Sequence, residues 1–277
     1  MNRSKREFTK KDLPDTRWRL FKDRFVFEWG KLFKTGLILL IFCLPLAALS
    51  LVKDIEIVAV FSEQAKGNLS AEEAKALVNS TTALFDLLSV VAFPLFSVGL
   101  AGVMVIIKRL AWLEPVFFKF DFFDGVKSNS PIIIVTFTVF GLLSYFASFA
   151  LGRYKSFIIS VIPVGFVLVV FLPVLLYTVS LTTVYKLKFS ETIKTAFSIY
   201  LRSVPQTLAA VALIIGMAAI TLIRSILLKY IAFSVLILFA LPSALLGWFL
   251  VSCRQFDKFI NARQFPELVD KGLYKGE

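Results

Sequence analysis

The types of residue that could carry out chemistry are few in this chain. Histidine is absent, so the usual general base and the preferred zinc ligand are both missing. No GxxxxGK[ST] motif is present, which argues against nucleotide binding by a P-loop. Cys43 and Cys253 have no metal-binding spacing, and we interpret them as packing residues within or beside apolar stretches. The sequence therefore predicts no enzyme, no metal site and no cofactor.

Asp86 is the one charged residue inside the long apolar stretches of the chain. A charge within a membrane marks a functional site by default. Asp86 also falls near the start of its stretch, where nearby water and a helix N-terminus would favour a carboxylate without any function. If it acts in a site, we expect it to bind a cationic ligand or to pair with a basic residue of the short connections. The candidate partners are Arg153, Lys155, Arg224 and Lys229.

Residues 115–125, PVFFKFDFFDG, form an aromatic stretch in a basic connection. The pattern is similar to the coupling helices by which membrane subunits of transporters contact their ATPases. The aromatic face can instead rest on lipid or on the rest of the protein, because amphipathic cytoplasmic segments usually lie at the membrane interface. The candidate partner contacts are Phe117, Phe118, Phe120, Phe122, Phe123 and Lys127.

Six long apolar stretches must position these residues. Each can cross a hydrocarbon core of ~30 Å as a helix, and the alternation needed for a barrel is absent. In lipid, only helices and closed barrels satisfy their own backbone hydrogen bonds. We therefore predict an all-α polytopic membrane protein, with a six-helix membrane domain over residues 35–252. The stretches are residues 36–52, 83–107, 131–151, 157–184, 206–223 and 230–252.

The basic residues predict the orientation, because Lys and Arg are retained on the cytoplasmic side. With the N-terminus inside, 24 of the 31 Lys and Arg residues fall in cytoplasmic segments. This places a basic arm (1–34) and a tail (253–277) in the cytoplasm. The net charge of +12 then lies beside the membrane, where anionic headgroups are a nearer partner than nucleic acid. We expect lipid contact and no binding of nucleic acid.

Two segments flank the first apolar stretch. Apolar residues after Thr16 recur every three or four positions between basic residues, which predicts an amphipathic helix in the headgroup layer. The alternative is a plain cytoplasmic extension of the first membrane helix. On the other side, residues 53–82 form the long outer connection, in which Ser70 and Glu73 fit a capping box. A helix is expected to start after Ser70 and can continue into the second stretch. The apolar residues of the amphipathic helix are Trp18, Phe21, Phe25, Trp29, Leu32 and Phe33.

Three prolines, Pro94, Pro173 and Pro242, lie at similar depths, since a basic residue follows them after 14, 13 and 12 positions. Proline inside a helix kinks it and leaves one carbonyl group without its donor. The spacing predicts helix kinks and a repeated hairpin, as in transporters whose sites lie between repeats. Chance is the alternative, because proline is frequent in membrane helices.

Small and hydroxyl-bearing residues also occur within the apolar stretches. Ser97, Gly99, Ala101 and Gly102 predict close packing of the second helix against its neighbours. The hydroxyl groups can line a polar path, although bonding to the backbone or to a neighbouring helix is more usual. They belong to Ser144, Tyr145, Ser148, Tyr177, Thr178, Ser180, Thr182 and Thr183.

Three sets of motifs point to a known family: Gly99-Leu100-Ala101-Gly102 before Lys108-Arg109-Leu110, Phe117-Phe118 with the segment 121–129, and Leu241-Pro242-Ser243-Ala244 before the segment 256–260. Through them, residues 33–260 resemble the YesL-like membrane proteins of Gram-positive bacteria, which implies a bacterial plasma membrane as the location. Members of that family tend to accompany carbohydrate-uptake transporters. The resemblance implies an accessory or regulatory role beside a solute importer, with an ATPase, a permease or a solute-binding protein as partner. The alternative is a small stand-alone transporter or channel whose proline-broken helices line the path.

Overall fold

The computed structural model describes residues 13–153, 157–216, 220, 222, 223 and 225–274, and its regular elements there are all helical. The predicted all-α class is confirmed. π-Helical turns at Val167–Phe171 and Leu236–Ala240 join α5 to α6 and α9 to α10, and another at Asp257–Asn261 follows α10. The helices are α1 (Arg17–Phe27), α2 (Trp29–Ala65), α3 (Ala71–Ala111), α4 (Phe118–Arg153), α5 (Phe157–Phe166), α6 (Leu172–Val184), α7 (Phe189–Arg202), α8 (Val204–Gly216), α9 (Ile226–Val235) and α10 (Leu241–Phe256).

Within the described residues, five continuous helices are long and apolar enough to cross a membrane: α2, α3, α4, Val161–Val184 and Ile226–Gln264. Helices α7 and α8 meet at a bend of 97°, and if the two together form one span, the number of candidate spans rises to six. The predicted fifth stretch (206–223) begins in α8, and its residues 217–219 and 221 lie outside the described part of the chain. Many large apolar side chains are exposed midway along these helices, as lipid contact requires, among them Ile41, Leu44, Val91, Phe146, Ile162 and Val235.

Helix α3 is the central helix of the bundle, and every residue from Gly99 to Ile107 is buried. A methyl group added to Gly99 would collide with the ring of Phe42, and one added to Gly102 with the ring of Phe122. The small residues therefore let two aromatic rings reach the surface of α3. This is the close packing that the sequence predicts for this face.

Two of the three prolines coincide with a change in helix geometry. Pro173 and Pro242 each follow a π-helical turn, whereas Pro94 lies inside the uninterrupted helix α3. A proline ring clashes with the carbonyl group four residues earlier, and a π-helical turn adds a residue there. The carbonyl oxygen of Val169 accepts a hydrogen bond from the Tyr200 hydroxyl group. The carbonyl oxygen of Leu238, four residues before Pro242, packs directly against Gly36. A methyl group added to Gly36 would collide with this oxygen.

Both described ends of the chain meet at one end of the bundle. Nη2 of Arg17 lies 2.9 Å from Oδ2 of Asp257, and the Tyr274 N–H group donates to the Pro14 carbonyl oxygen over 2.9 Å. Helix α1 is separate from α2 and buries Leu20 completely, so it is not a plain extension of the first membrane helix. We call this end the base. The opposite end, which the sequence predicts to face outwards, we call the outer end.

The long outer connection is mostly helical. Helix α2 runs to Ala65 and α3 begins at Ala71, so only residues 66–70 separate the two helices. The predicted capping box is present, because Ser70 accepts from the Glu73 N–H group and the Glu73 carboxylate accepts from the Ser70 N–H group. The two helices therefore extend beyond the apolar stretches, and this extension positions the charged residues described below.

Candidate functional site

A cavity of about 600 Å³ lies at the outer end among residues of α2, α3, α4 and α9. We call it the outer chamber. Cys43 and Lys53, which both line it, are ten residues apart on α2, so it extends for about 15 Å along that helix. Its volume falls within the roughly 300–1,000 Å³ of sites for small molecules. Apolar side chains form most of the wall, including Leu46, Phe93, Phe96, Phe233 and Leu236.

Asp86 lies in the wall of the outer chamber and is held by two other helices. Its Oδ1 atom is 2.9 Å from Nζ of Lys53 on α2, and its Oδ2 atom accepts a hydrogen bond from the Ser148 hydroxyl group on α4. Helix α3 begins at Ala71, so Asp86 is far from the helix N-terminus. The expected stabilisation by the helix dipole therefore does not apply, because that effect fades within the first turn. An ion pair and a hydroxyl group hold the carboxylate instead.

Of the basic residues expected to pair with Asp86, the two that the structure describes, Lys229 and Arg153, make other contacts. Nζ of Lys229 is 2.6 Å from Oδ2 of Asp54, which also accepts from the Tyr230 hydroxyl group. The guanidinium carbon of Arg153 lies 5.6 Å from the centre of the Phe149 ring. Lys155 and Arg224 are outside the described residues.

Sequence reasoning missed Lys53 because it assigned that residue to a loop. The available signal was the adjacent pair Lys53 and Asp54, directly after the first apolar stretch. Because α2 continues through both residues, Lys53 pairs with Asp86 on α3 and Asp54 pairs with Lys229 on α9. Two ion pairs thus connect α2 to α3 and to α9 at the outer end.

A second cavity, of about 360 Å³, lies beside the outer chamber and is lined by Asn79, Ser80 and Arg153 among others. We call it the vestibule. Asp86, Tyr145 and Ser148 line both cavities. The hydrogen bond between Asp86 and Ser148 therefore lies in the wall that separates the vestibule from the outer chamber.

The hydroxyl groups of the apolar stretches divide into two sets. In α6 they bond to carbonyl groups of their own helix, as Thr178 does with Val174 and Thr182 with Thr178. Ser180 and Thr183 do the same, and Tyr177 contacts Ser203 and Thr207. In α4, by contrast, Ser144, Tyr145 and Ser148 line the outer chamber. Of the hydroxyl groups expected to line a polar path, those of α4 line the outer chamber and those of α6 do not.

The aromatic stretch of the sequence lies at the base, around the start of α4. Its side chains separate into two faces. Phe118 and Phe122 are partly buried and pack against the core, whereas Phe117, Phe120 and Phe123 are 62%, 68% and 60% exposed. We call the three exposed phenylalanines, together with Lys119 and Lys127, the base patch. A shallow groove runs along these residues.

Asp121 fixes this segment to the bundle. Its carboxylate is completely buried, with Oδ1 2.8 Å from Nε of Arg109 and Oδ2 accepting from the Phe117 N–H group over 2.7 Å. A buried carboxylate needs such partners, because an unpaired charge in the interior is strongly unfavourable. The base patch is therefore held on a fixed backbone rather than on a free loop.

No group of three or more Cys, Asp or Glu residues in the described part of the chain is arranged to hold a metal ion. Comparison of the chain with protein-family models, with curated proteins and with solved structures finds no match. The resemblance to the YesL-like proteins therefore stays a prediction.

Proposed function

We propose that this chain is a membrane protein with six crossings and both termini in the cytoplasm, acting as an accessory or regulatory subunit of a bacterial solute importer. The long apolar helices and their exposed apolar residues support the membrane location. Contact between the two ends of the chain at the base, through Arg17 and Asp257, fits an even number of crossings. The excess of Lys and Arg predicted for that side supports a cytoplasmic base.

The observation that carries the accessory role is the base patch. Exposed aromatic residues on a rigid backbone are typical anchors of protein interfaces. Lys119 and Lys127 border the phenylalanines and would complement an acidic rim on a partner. The patch follows the short connection from α3 and lies in the first turns of α4, a position similar to that of a coupling helix. The resemblance to YesL-like proteins suggests a carbohydrate importer.

Photo-crosslinking in living cells tests this role. A photoreactive phenylalanine analogue replaces Phe120, and in a matched protein it replaces Phe146, which is 60% exposed midway along α4. We expect the analogue at position 120 to form adducts with the ATPase or the permease of an importer, and the analogue at position 146 to form adducts with lipid. Adducts with lipid at both positions would contradict the accessory role and would show that the patch rests on the membrane.

The outer chamber favours a second candidate, a stand-alone transporter. Leu236, in the π-helical turn before Pro242, contributes to the chamber wall, as expected if a broken helix borders a transport path. The test is solute flux into vesicles that contain only this chain. Flux that Asp86→Asn abolishes would support the transporter, and impermeable vesicles would exclude it in favour of the accessory role.

A further inference from the structure

The lining of the outer chamber changes from charged to apolar along its length. Lys53, Asp86 and Lys229 lie at its outer end, whereas Cys43 and Phe96 lie towards the middle of the bundle. A cavity of this kind matches a molecule that is polar at one end and apolar at the other. An entirely apolar ligand would place hydrocarbon against the charged end, and a fully polar ligand would leave the phenylalanine wall in contact with water.

The charges at the mouth favour an anion. Among the described lining residues, two ammonium groups (Lys53 and Lys229) and one carboxylate (Asp86) face the chamber. Asp54, the partner of Lys229, is not part of the lining. The side chains of Lys53, Asp86 and Lys229 are only 25%, 19% and 17% exposed, so their interaction with a ligand charge is less screened than at an open surface.

We propose that the outer chamber binds an amphiphile with one apolar chain and an anionic head, either a carboxylate or a phosphate. The head contacts Lys53 and Lys229 at the mouth, and the chain runs past Phe93 towards Cys43. This assignment is independent of the accessory role, which concerns the opposite end of the molecule.

In this arrangement Asp86 competes with the ligand. Without ligand, the carboxylate of Asp86 pairs with Lys53 over 2.9 Å and accepts from Ser148. An anionic head takes Asp86's place at Lys53. Removing the negative charge of Asp86 should therefore strengthen binding of an anion, and removing the positive charge of Lys53 should weaken it.

The first experiment measures saturable photo-crosslinking of diazirine-bearing probes to the protein in lipid nanodiscs. Four probes share one chain and carry a carboxylate, a phosphate, an alcohol or a trimethylammonium head. We expect adducts of the two anionic probes on chamber residues such as Phe93 and Phe233. Whichever anionic probe crosslinks more strongly identifies the head group as a carboxylate or a phosphate. Adducts confined to exposed residues such as Leu44 and Val91 would overturn the proposal, as would stronger binding of the cationic probe.

Charge variants provide the sharper test. For an anionic probe we expect Lys53→Met to raise the dissociation constant about tenfold, the effect of losing one charge-assisted contact, and Asp86→Asn to lower it. Lys66→Met removes a matched lysine, which pairs with Glu63 near the end of α2, and should change nothing. Opposite shifts for Lys53→Met and Asp86→Asn are not expected from structural damage, which would weaken both. Weakening by both variants, or the reverse signs, contradicts the proposal.

A thiol reporter keeps the proposal testable if either charge variant fails to fold. The chain has two cysteines, so Cys253→Ser leaves Cys43, in the chamber wall, as the sole thiol. We expect the carboxylate or the phosphate probe to slow alkylation of Cys43 by an apolar maleimide, and the alcohol probe to slow it much less. If saturating anionic probe leaves the alkylation rate unchanged, the probe binds elsewhere and the proposal is wrong.

Discussion

The hydroxyl group of Tyr200 donates a hydrogen bond, 2.7 Å long, to the carbonyl oxygen of Val169. That oxygen lies four residues before Pro173, which has no N–H group to donate to it. A residue of α7 thus satisfies the backbone of a different helix at the point where proline interrupts it. The contact explains how the chain tolerates a proline within this helix.

Tyr200→Phe should lower the free energy of unfolding by about 1–3 kcal/mol, because it leaves the part-buried carbonyl group of Val169 without a donor. Thermal unfolding in detergent micelles measures the change. In a Pro173→Ala background the new N–H group can serve Val169, so the same substitution should have a smaller effect. Equal effects in both backgrounds would show that the hydroxyl group does not compensate for the proline.

Gly36 and Gly30 offer a matched pair on α2. A methyl group at Gly36 would collide with the backbone of Leu238, whereas none of the neighbouring atoms lies within 4 Å of a methyl group at Gly30. We expect Gly36→Ala to destabilise the protein by roughly 1–3 kcal/mol through overpacking. Gly30→Ala should leave stability unchanged or raise it by up to about 1 kcal/mol, since alanine favours helix. Equal midpoints of unfolding for the two variants would contradict the close contact of α2 with the π-helical turn.

Asp121→Asn removes the buried negative charge that pairs with Arg109. We expect a loss of about 3 kcal/mol, at the low end of the range for a broken buried ion pair, because the Arg109 side chain is 25% exposed. Faster proteolysis of residues 113–127 should accompany the loss. The control is Asp124, a neighbouring exposed residue. Asp124→Asn should change neither the free energy of unfolding nor the rate of proteolysis. A stable Asp121→Asn variant would show that the base patch is not held by this carboxylate.

Arg17 attaches helix α1 to the C-terminal segment, because it contacts Asp257 and also donates to the carbonyl oxygen of Lys271. Arg17→Met should accelerate amide hydrogen exchange in α1 about fivefold, as expected for roughly 1 kcal/mol of lost docking free energy. Arg19→Met is the comparison, since Arg19 forms an exposed pair with Asp15 within the same segment. Equal exchange in the two variants would mean that α1 is held mainly by its apolar contacts, such as that of Leu20.

Features set by local sequence were predictable. The capping box of Ser70 and Glu73 fixes the start of α3 through bonds between neighbouring residues, and the pattern alone identifies it. The apolar stretches identify the long helices, because residue type determines whether a segment can be surrounded by lipid. The small residues Gly99 and Gly102 predicted close packing, although not which aromatic rings would fill the space.

Features set by tertiary contacts were not predictable. Asp86 was chosen as a candidate from the sequence, yet its partner Lys53 is 33 residues away and was assigned to a loop. The adjacent charges of Lys53 and Asp54 indicate that a helix can continue past its apolar stretch, but only tertiary contacts determine which residues of other helices they pair with. Likewise, Pro173 predicts an unsatisfied carbonyl group, but only the packing of α7 brings Tyr200 to it.

Topology mapping in intact cells tests the central claim, a polytopic membrane protein with its base in the cytoplasm. Single cysteines at Lys66, Lys119 and Lys271, in a chain whose two native cysteines are replaced by serine, are treated with a membrane-impermeant maleimide. We predict labelling at position 66 in intact cells and at positions 119 and 271 only after the membrane is permeabilised. Labelling at position 119 or 271 in intact cells, or recovery of the chain in the soluble fraction without detergent, would contradict it.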